Sequence, residues 1–322
     1  MKGPVLVTGA TGVVGSVVVR TLVAEGWRVR ALVRRPSPGL PPGCESVVGD
    51  LEDAEALRRG LDGATAAVHL AAQLHVNSPS PDLEALYRRV NTEGTERLAA
   101  LAAAAGVARV VFSSTINVYG PSAGGHVWTE DDEPQGDSLY ARTKLDAEPA
   151  VLALASGVVL RLAAVYGPGM KGNYPSLARL LHRGVRVLPG DGTNRRTLVH
   201  VEDAAQALAL AAEGPVPPGL YNLTDGAVHD FDAVVRSLQR AVGVRPGVRY
   251  VSDRLLRPAL AVPEGAARLL GRRLPARALL DKMVEDVAVS GRRLIDRTPY
   301  APRFGSLDAG WAASGLARRG AR

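Results

Sequence analysis

The 322-residue sequence holds one cysteine, four lysines and few aromatic side chains, and each scarcity removes a class of function. A single thiol, Cys44, excludes an internal disulfide and a cysteine-based zinc site, which points to a reducing compartment and makes the cytoplasm the expected location. The six histidines are scattered, with no His-Glu-x-x-His and no pair at helical ligand spacing, so no metal is expected. Aromatics make up 4% of the chain, too few for a base-stacking surface, and no motif that reads RNA or DNA occurs. Nucleic acid is therefore not an expected partner despite a net charge of +7, which comes almost wholly from arginine, since the lysines are only Lys2, Lys144, Lys171 and Lys282. No apolar stretch reaches transmembrane length, and the run Met1–Val19 lacks the small-residue cleavage pattern of a signal peptide. A buried strand followed by a glycine turn explains that run better, and no membrane partner is expected.

What the chain does have is a regular alternation. Apolar, β-branched runs at Pro4–Thr8, Arg28–Val33, Ser46–Val48, Ala66–Leu70, Arg109–Ser113 and Val158–Leu162 read as strands. Between them lie amphipathic stretches, Gly15–Glu25, Ala54–Leu61, Leu83–Ala105 and Tyr140–Ala155, that read as helices. Strands apolar throughout imply burial on both faces, so the expected fold is α/β, a doubly wound parallel sheet with a smaller C-terminal lobe. After Tyr166 proline and glycine become frequent and the helices arginine-rich; apolar patterning returns at Leu198–Ala212 and Tyr221–Leu223. The expected division is residues 1–165 with 196–226 as a dinucleotide-binding domain and 166–195 with 227–322 as a substrate lobe. The basic stretch Ala267–Arg277 reads as a solvated helix surface.

Gly9, Gly12 and Gly15 in "VTGATGVVGSVVV" follow the first strand and open a helix. Glycine costs a helix or strand about 0.5–1 kcal/mol relative to alanine, so three in nine residues need a reason. Backbone amides at a helix start can cradle a diphosphate, with Gly9 permitting the turn, Gly12 the approach of phosphate and Gly15 the packing of helix on sheet. Thr11 and Val13 belong to the same expected cofactor loop. After the second strand the sequence reads "RVRALVRRP", placing Arg34 and Arg35 where NAD-preferring chains carry an acid; this favours NADP, with NAD left open because arginine can also stack on adenine. Asp50, followed by Leu51, could accept from the adenine amino group or cap the next helix.

Tyr140 and Lys144 in "SLYARTKLDAE" stand four apart, on one face of a helix. A nearby ammonium favours the phenolate of a tyrosine, and such a group can take a proton from a secondary alcohol or return one to a ketone as hydride moves. Ser113, Ser114 and Thr115 end the fifth strand, where open α/β sheets bind their ligands, and offer hydroxyls that could position a substrate oxygen.

Together the glycine loop, "HLAA" at His69–Ala72, "SSTINVYG" at Ser113–Gly120, Tyr140-x-x-x-Lys144, "VYGPG" at Val165–Gly169, "RRTLVHVEDAAQAL" at Arg195–Leu208 and "YNLTDG" at Tyr221–Gly226 resemble the extended short-chain dehydrogenase/reductases of the NAD-dependent epimerase/dehydratase group. The resemblance implies Tyr140 as acid/base, Lys144 holding the nicotinamide ribose and lowering the tyrosine's pKa, and Thr115 orienting the substrate hydroxyl. It further implies that Leu70, Ala71, Ala72 and Ser113 line the cofactor, that Arg196 meets a substrate phosphate, and that Asn173 lies in the same pocket. A homodimer through Leu83–Ala105 and Tyr140–Ala155 is also implied.

Dehydratases of the group carry an Asp-Glu pair after the catalytic threonine; this chain has Ile116 and Asn117, which disfavours dehydration. Ala164 replaces an asparagine of the galactose-type epimerases, and their late Arg-x-Gly-Asp is missing from "DKMVEDVAVS". The expected activity is 4-epimerisation or 4-keto reduction of a nucleotide sugar. A ketoreductase of a sterol- or flavonoid-like substrate and a non-catalytic dinucleotide-sensing regulator are the alternatives; regulators of this kind lose the Tyr/Lys pair that this chain retains.

Overall fold

The structure is a computed structural model that describes residues 2–74, 81–136, 138–170, 172–258 and 276–316. Its central sheet has seven strands in the order β10-β6-β5-β4-β1-β2-β3, where β1 is Lys2–Thr8, β2 Trp27–Val33, β3 Cys44–Val48, β4 Ala66–His69, β5 Arg109–Thr115, β6 Gly157–Leu162 and β10 Gly219–Leu223. All adjacent pairs are parallel. The order runs away from β1 in both directions, so the carboxyl ends of β1 and β4 flank the switch point where such sheets open a crevice.

The continuous apolar runs are explained by burial on both faces: Val5, Leu6 and Val7, Ala66 to Val68, and Val158 to Leu160 have no exposed surface. Against one face pack α1 (Val13–Ala24) and α7 (Val201–Glu213). Against the other pack α2 (Ala54–Leu61), α4 (Gly94–Ala104) and α5 (Leu139–Leu152). From α1, Val18, Val19 and Leu22 are fully buried, each contributing at most about 1.5–3 kcal/mol of transfer free energy.

The expected helix over Leu83–Ala105 is three segments: α3 (Pro81–Tyr87), a π-helical turn at Arg88–Glu93, and α4. The wider turn carries Asn91 and Thr92 into the interior, a placement that a uniform 3.6-residue pattern does not anticipate.

Three further short strands build a second sheet: β9 (Arg195–His200) pairs in parallel with β7 (Ala164–Tyr166) and antiparallel with β11 (Val228–Asp230). The segment from Arg195 to His200 thus joins the small sheet, whereas α7 and β10, which follow it, return to the large one. β8 (Val187–Pro189) pairs with β12 (Arg249–Val251). A third core gathers Tyr166, Leu177 and Leu181 of α6 (Asn173–His182), Phe231 and Val235 of α8 (Phe231–Ala241), and Trp311 of α11 (Leu307–Ala313), beyond α9 (Ala276–Val284) and α10 (Arg292–Arg297). Residues 267–275 of the basic stretch lie outside the described residues. Among the described residues no helix is long and apolar enough to cross a membrane.

Candidate active site

The glycine turn joins β1 to α1. Gly9 has φ +67°, and a Cβ there would lie 2.7 Å from the Ala71 nitrogen, so the turn must be both left-handed and bare. A Cβ on Gly15 would lie 2.1 Å from the Gly9 carbonyl oxygen. Gly15 therefore lets α1 close on the glycine turn directly after β1. Gly12 is the N-cap of α1 and supplies no side-chain cap, so the first-turn amides keep their orphan donors. A Cβ on it would meet only the Gly9 carbonyl oxygen, at 3.1 Å, and otherwise open space. Thr11 and Gly12 are exposed and Val13 half-buried. This bare, donor-rich helix start fits a diphosphate.

Arg34 and Arg35 follow β2, the strand beside β1, and both are exposed. Asp50 follows β3; its Oδ1 accepts from the Glu52 and Asp53 amides at 2.8 and 3.1 Å. The cap of α2 is Asp53, which accepts from the Ala56 amide at 2.9 Å, so Asp50 closes the preceding turn and does not cap the helix. The Leu51 side chain is buried against α4, where a Cβ on Gly94 would lie 3.0 Å from it, so contact with a cofactor would fall to its main chain.

Thr8, His69 and Phe112 lie opposite one another on β1, β4 and β5. Thr8 Oγ1 is 2.6 Å from His69 Nδ1, and His69 Nε2 is 2.9 Å from Thr95 Oγ1. The Thr95 hydroxyl donates to the Asn91 carbonyl at 2.6 Å, so its oxygen is left to accept from His69 Nε2–H; Nδ1 then accepts from Thr8, whose oxygen receives the Ala71 amide at 3.2 Å. Burial holds this imidazole neutral, with its pKa pushed down to about 3, and the charge of Lys144 acts in the same direction.

The His69 ring stacks on Phe112 at 5.4 Å, and the Lys144 ammonium lies 3.9 Å from the Phe112 centroid. A row of contacts thus connects the glycine turn to the Tyr-Lys helix. Tyr140, half-buried, lies one turn nearer the start of α5, which begins at the carboxyl edge of the sheet. Thr115 ends β5; its Oγ1 accepts from the Asn117 amide at 3.2 Å, leaving its O–H to donate. Ser113 is half-buried on the same strand, and Leu70, Ala71 and Ala72 line the half-buried loop after β4.

The protonation states differ from the implied ones. Burial, followed by the phenol of Tyr87, pushes Tyr140 up to about 12, and burial pushes Lys144 down to about 7, with Glu148 acting in the opposite sense. Desolvation is the largest cause for both, so the tyrosine is a phenol at neutral pH.

In the small sheet the Arg196 guanidinium is buried and donates to main-chain carbonyls: Lys282 at 2.9 Å, Met283 at 2.8 Å, and Glu285. The implied phosphate contact is not offered here, because these donors close the end of α9 onto β9. Arg195 is likewise held, by Asp286 at 2.6 Å. A cleft of about 870 Å³ beside them is lined by Asp191, Asn194, Tyr250, Arg254 and Asp286. Asn173 is exposed at the start of α6 and does not line it.

Sequence reasoning missed Asn91. Its Oδ1 accepts the Gln73 amide at 2.7 Å, and its Nδ2 donates to the Gln73 carbonyl at 3.3 Å and to Thr143 Oγ1 at 3.0 Å. It joins the loop after β4 to the turn of α5 between Tyr140 and Lys144. An asparagine in a strongly helical stretch was the available signal, since that side chain competes with helix formation.

Residues 5–224 match the NAD dependent epimerase/dehydratase family. The chain is 30% identical over 301 residues to UDP-glucose 4-epimerase of Vibrio cholerae, covering 90% of this chain and 88% of that one. It is 34% identical to ceramide reductase of Caulobacter vibrioides over 78% of this chain and 74% of that one. Among solved structures, MoeE5 in complex with UDP-glucose and NAD superposes with a TM-score of 0.75 at 31% identity, covering 99% of this chain and all of that one. On a family match across more than half its length, joined to a relative aligned nearly end to end, the chain belongs to the NAD-dependent epimerase/dehydratase family of extended short-chain dehydrogenase/reductase enzymes.

Proposed function

We propose that the protein interconverts a secondary alcohol and a ketone on a nucleotide sugar, as a 4-epimerase or a 4-keto-sugar reductase, with NADP preferred over NAD. The observation that carries the reading is the row Thr8–His69–Phe112–Lys144, which ties a bare, donor-rich helix start to the helix bearing Tyr140. Similarity to a UDP-glucose epimerase and to a protein bound to UDP-glucose supports the substrate class. Hydride exchange with the carbinol carbon is the chemistry that a bound nicotinamide supplies.

The amides at the start of α1 would bind the diphosphate, and Arg34 and Arg35 the 2′-phosphate. Lys144 would hold the nicotinamide ribose, and Ala71 and Ala72 would line it. Thr115 would hold the substrate oxygen, and Tyr140 would exchange the proton at that atom. The phenol is the form that gives a proton to a ketone, and its phenolate the form that takes one from an alcohol. Helices α4 and α5, exposed at Ala100, Ala103, Ala104 and Leu152, would form the homodimer.

A second reading, reduction of a ketone that is not on a nucleotide, draws on one observation: the Arg196 fork is committed to main-chain carbonyls. The ceramide reductase similarity favours it as well. Incubation with NADPH and a panel of sugar nucleotides, keto-sugars and long-chain ketones separates these outcomes. Turnover without net cofactor oxidation identifies an epimerase, and NADPH consumption identifies a reductase. Tight dinucleotide binding with neither would leave only a sensor.

A further inference from the structure

Ser114 and Arg161 face each other across β5 and β6, and both reach the same carboxylate on α5. Ser114 Oγ donates to Glu148 Oε1 at 2.6 Å, while Arg161 donates to it through Nε at 2.9 Å and through Nη2 to Oε2 at 2.7 Å. Glu148 and Arg161 are each 3% exposed, and the Arg161 guanidinium lies 4.8 Å from the Tyr119 ring centroid. One helical turn before Glu148 stands Lys144, itself 1% exposed.

We infer that Glu148 is a positioning residue, pinned by Ser114 and Arg161, that sets the charge on Lys144 and locks α5 in register against the strand ending at Thr115. The inference rests on reading Lys144 as the cation that holds the cofactor's ribose. The buried cluster contains two cations and one anion. Removing the anion leaves two like charges in a buried site, and only one can respond: a guanidinium does not shed its proton in a protein, whereas a buried ammonium does so readily.

The other groups around Lys144 cannot replace the carboxylate. Tyr140 on the same helix is a neutral phenol, His69 from β4 is neutral, Tyr87 from α3 lies beside Tyr140, and β5 presents the Phe112 ring to the ammonium. Among the described residues, Glu148 is the one group on the elements packed there that opposes the loss of the lysine's charge.

The test exploits the small number of lysines. With four in the chain, a 13Cε-lysine NMR titration of the protein without cofactor or substrate reads each one separately, so a wrong substrate assignment leaves this measurement untouched. Glu148→Gln should lower the Lys144 midpoint by about one pH unit, and Glu148→Asp should return it to within roughly 0.3 unit of the parent. Ser114→Ala loosens the clamp but keeps every charge, and should leave the midpoint in place. Should Glu148→Gln not fold, Arg161→Met, which bares the carboxylate, should raise the midpoint. An unmoved midpoint in Glu148→Gln, a Ser114→Ala shift equal to that of Glu148→Gln, or no rise in Arg161→Met overturns the inference.

Discussion

Asn91 holds both backbone polar groups of Gln73, accepting from its N–H at 2.7 Å and donating to its carbonyl at 3.3 Å, as a neighbouring strand would. The loop that follows β4 is thereby fixed by a side chain from the π-helical turn. Asn91→Ala leaves buried groups unpaired and should cost about 1–3 kcal/mol of stability. It should also weaken dinucleotide binding, because the loop beside the glycine turn is released. Urea unfolding combined with a cofactor titration checks both; lost stability with unchanged affinity would reduce Asn91 to packing.

His69 should be neutral in the Nε2–H form, which 15N NMR reads directly from the two ring nitrogens. Its folded pKa, about 3, lies below the unfolded 6.5, so between those values the unfolded chain binds the extra proton. Its contribution to stability is complete above pH 6.5 and is lost as the pH falls toward 3, by roughly 4–5 kcal/mol as an upper figure. A ring that titrates near pH 6 would break the relay from Thr8 to Thr95.

Much of this was legible in the sequence. The central strands announce themselves because residues such as Val5, Leu6 and Val7 are buried on both faces, and the glycine loop because Gly9 and Gly15 have no room for a side chain. Tyr140 and Lys144 could be paired by spacing alone. Their protonation could not, since that depends on burial by α3, β4 and β5, which are distant in sequence. Arg196 was misleading for a related reason: its partners at residues 282–285 are carbonyls, which no side-chain pattern reveals.

Arg34 and Arg35 are the expected 2′-phosphate contacts. Replacing both with serine should weaken NADPH binding about 10- to 100-fold, as for the loss of charge-assisted hydrogen bonds, while NADH affinity changes little. Equal losses for both dinucleotides would move these arginines from the phosphate to the adenine.

Arg196→Lys cannot reproduce a fork across several carbonyls. The variant should unfold about 1–3 kcal/mol more easily, with KM for an accepted substrate within a few-fold of the parent. A tenfold rise in KM for a sugar nucleotide at unchanged stability would return the guanidinium to a substrate phosphate.

Single-turnover reduction by Tyr140→Phe, measured beside cofactor affinity, addresses the role of the phenol most directly. The ring remains and only its hydroxyl is removed, so dinucleotide binding should stay within a few-fold of the parent while the rate falls by about 10²- to 10⁴-fold. A variant that binds cofactor and turns over at close to the parent rate would show that the proton comes from elsewhere.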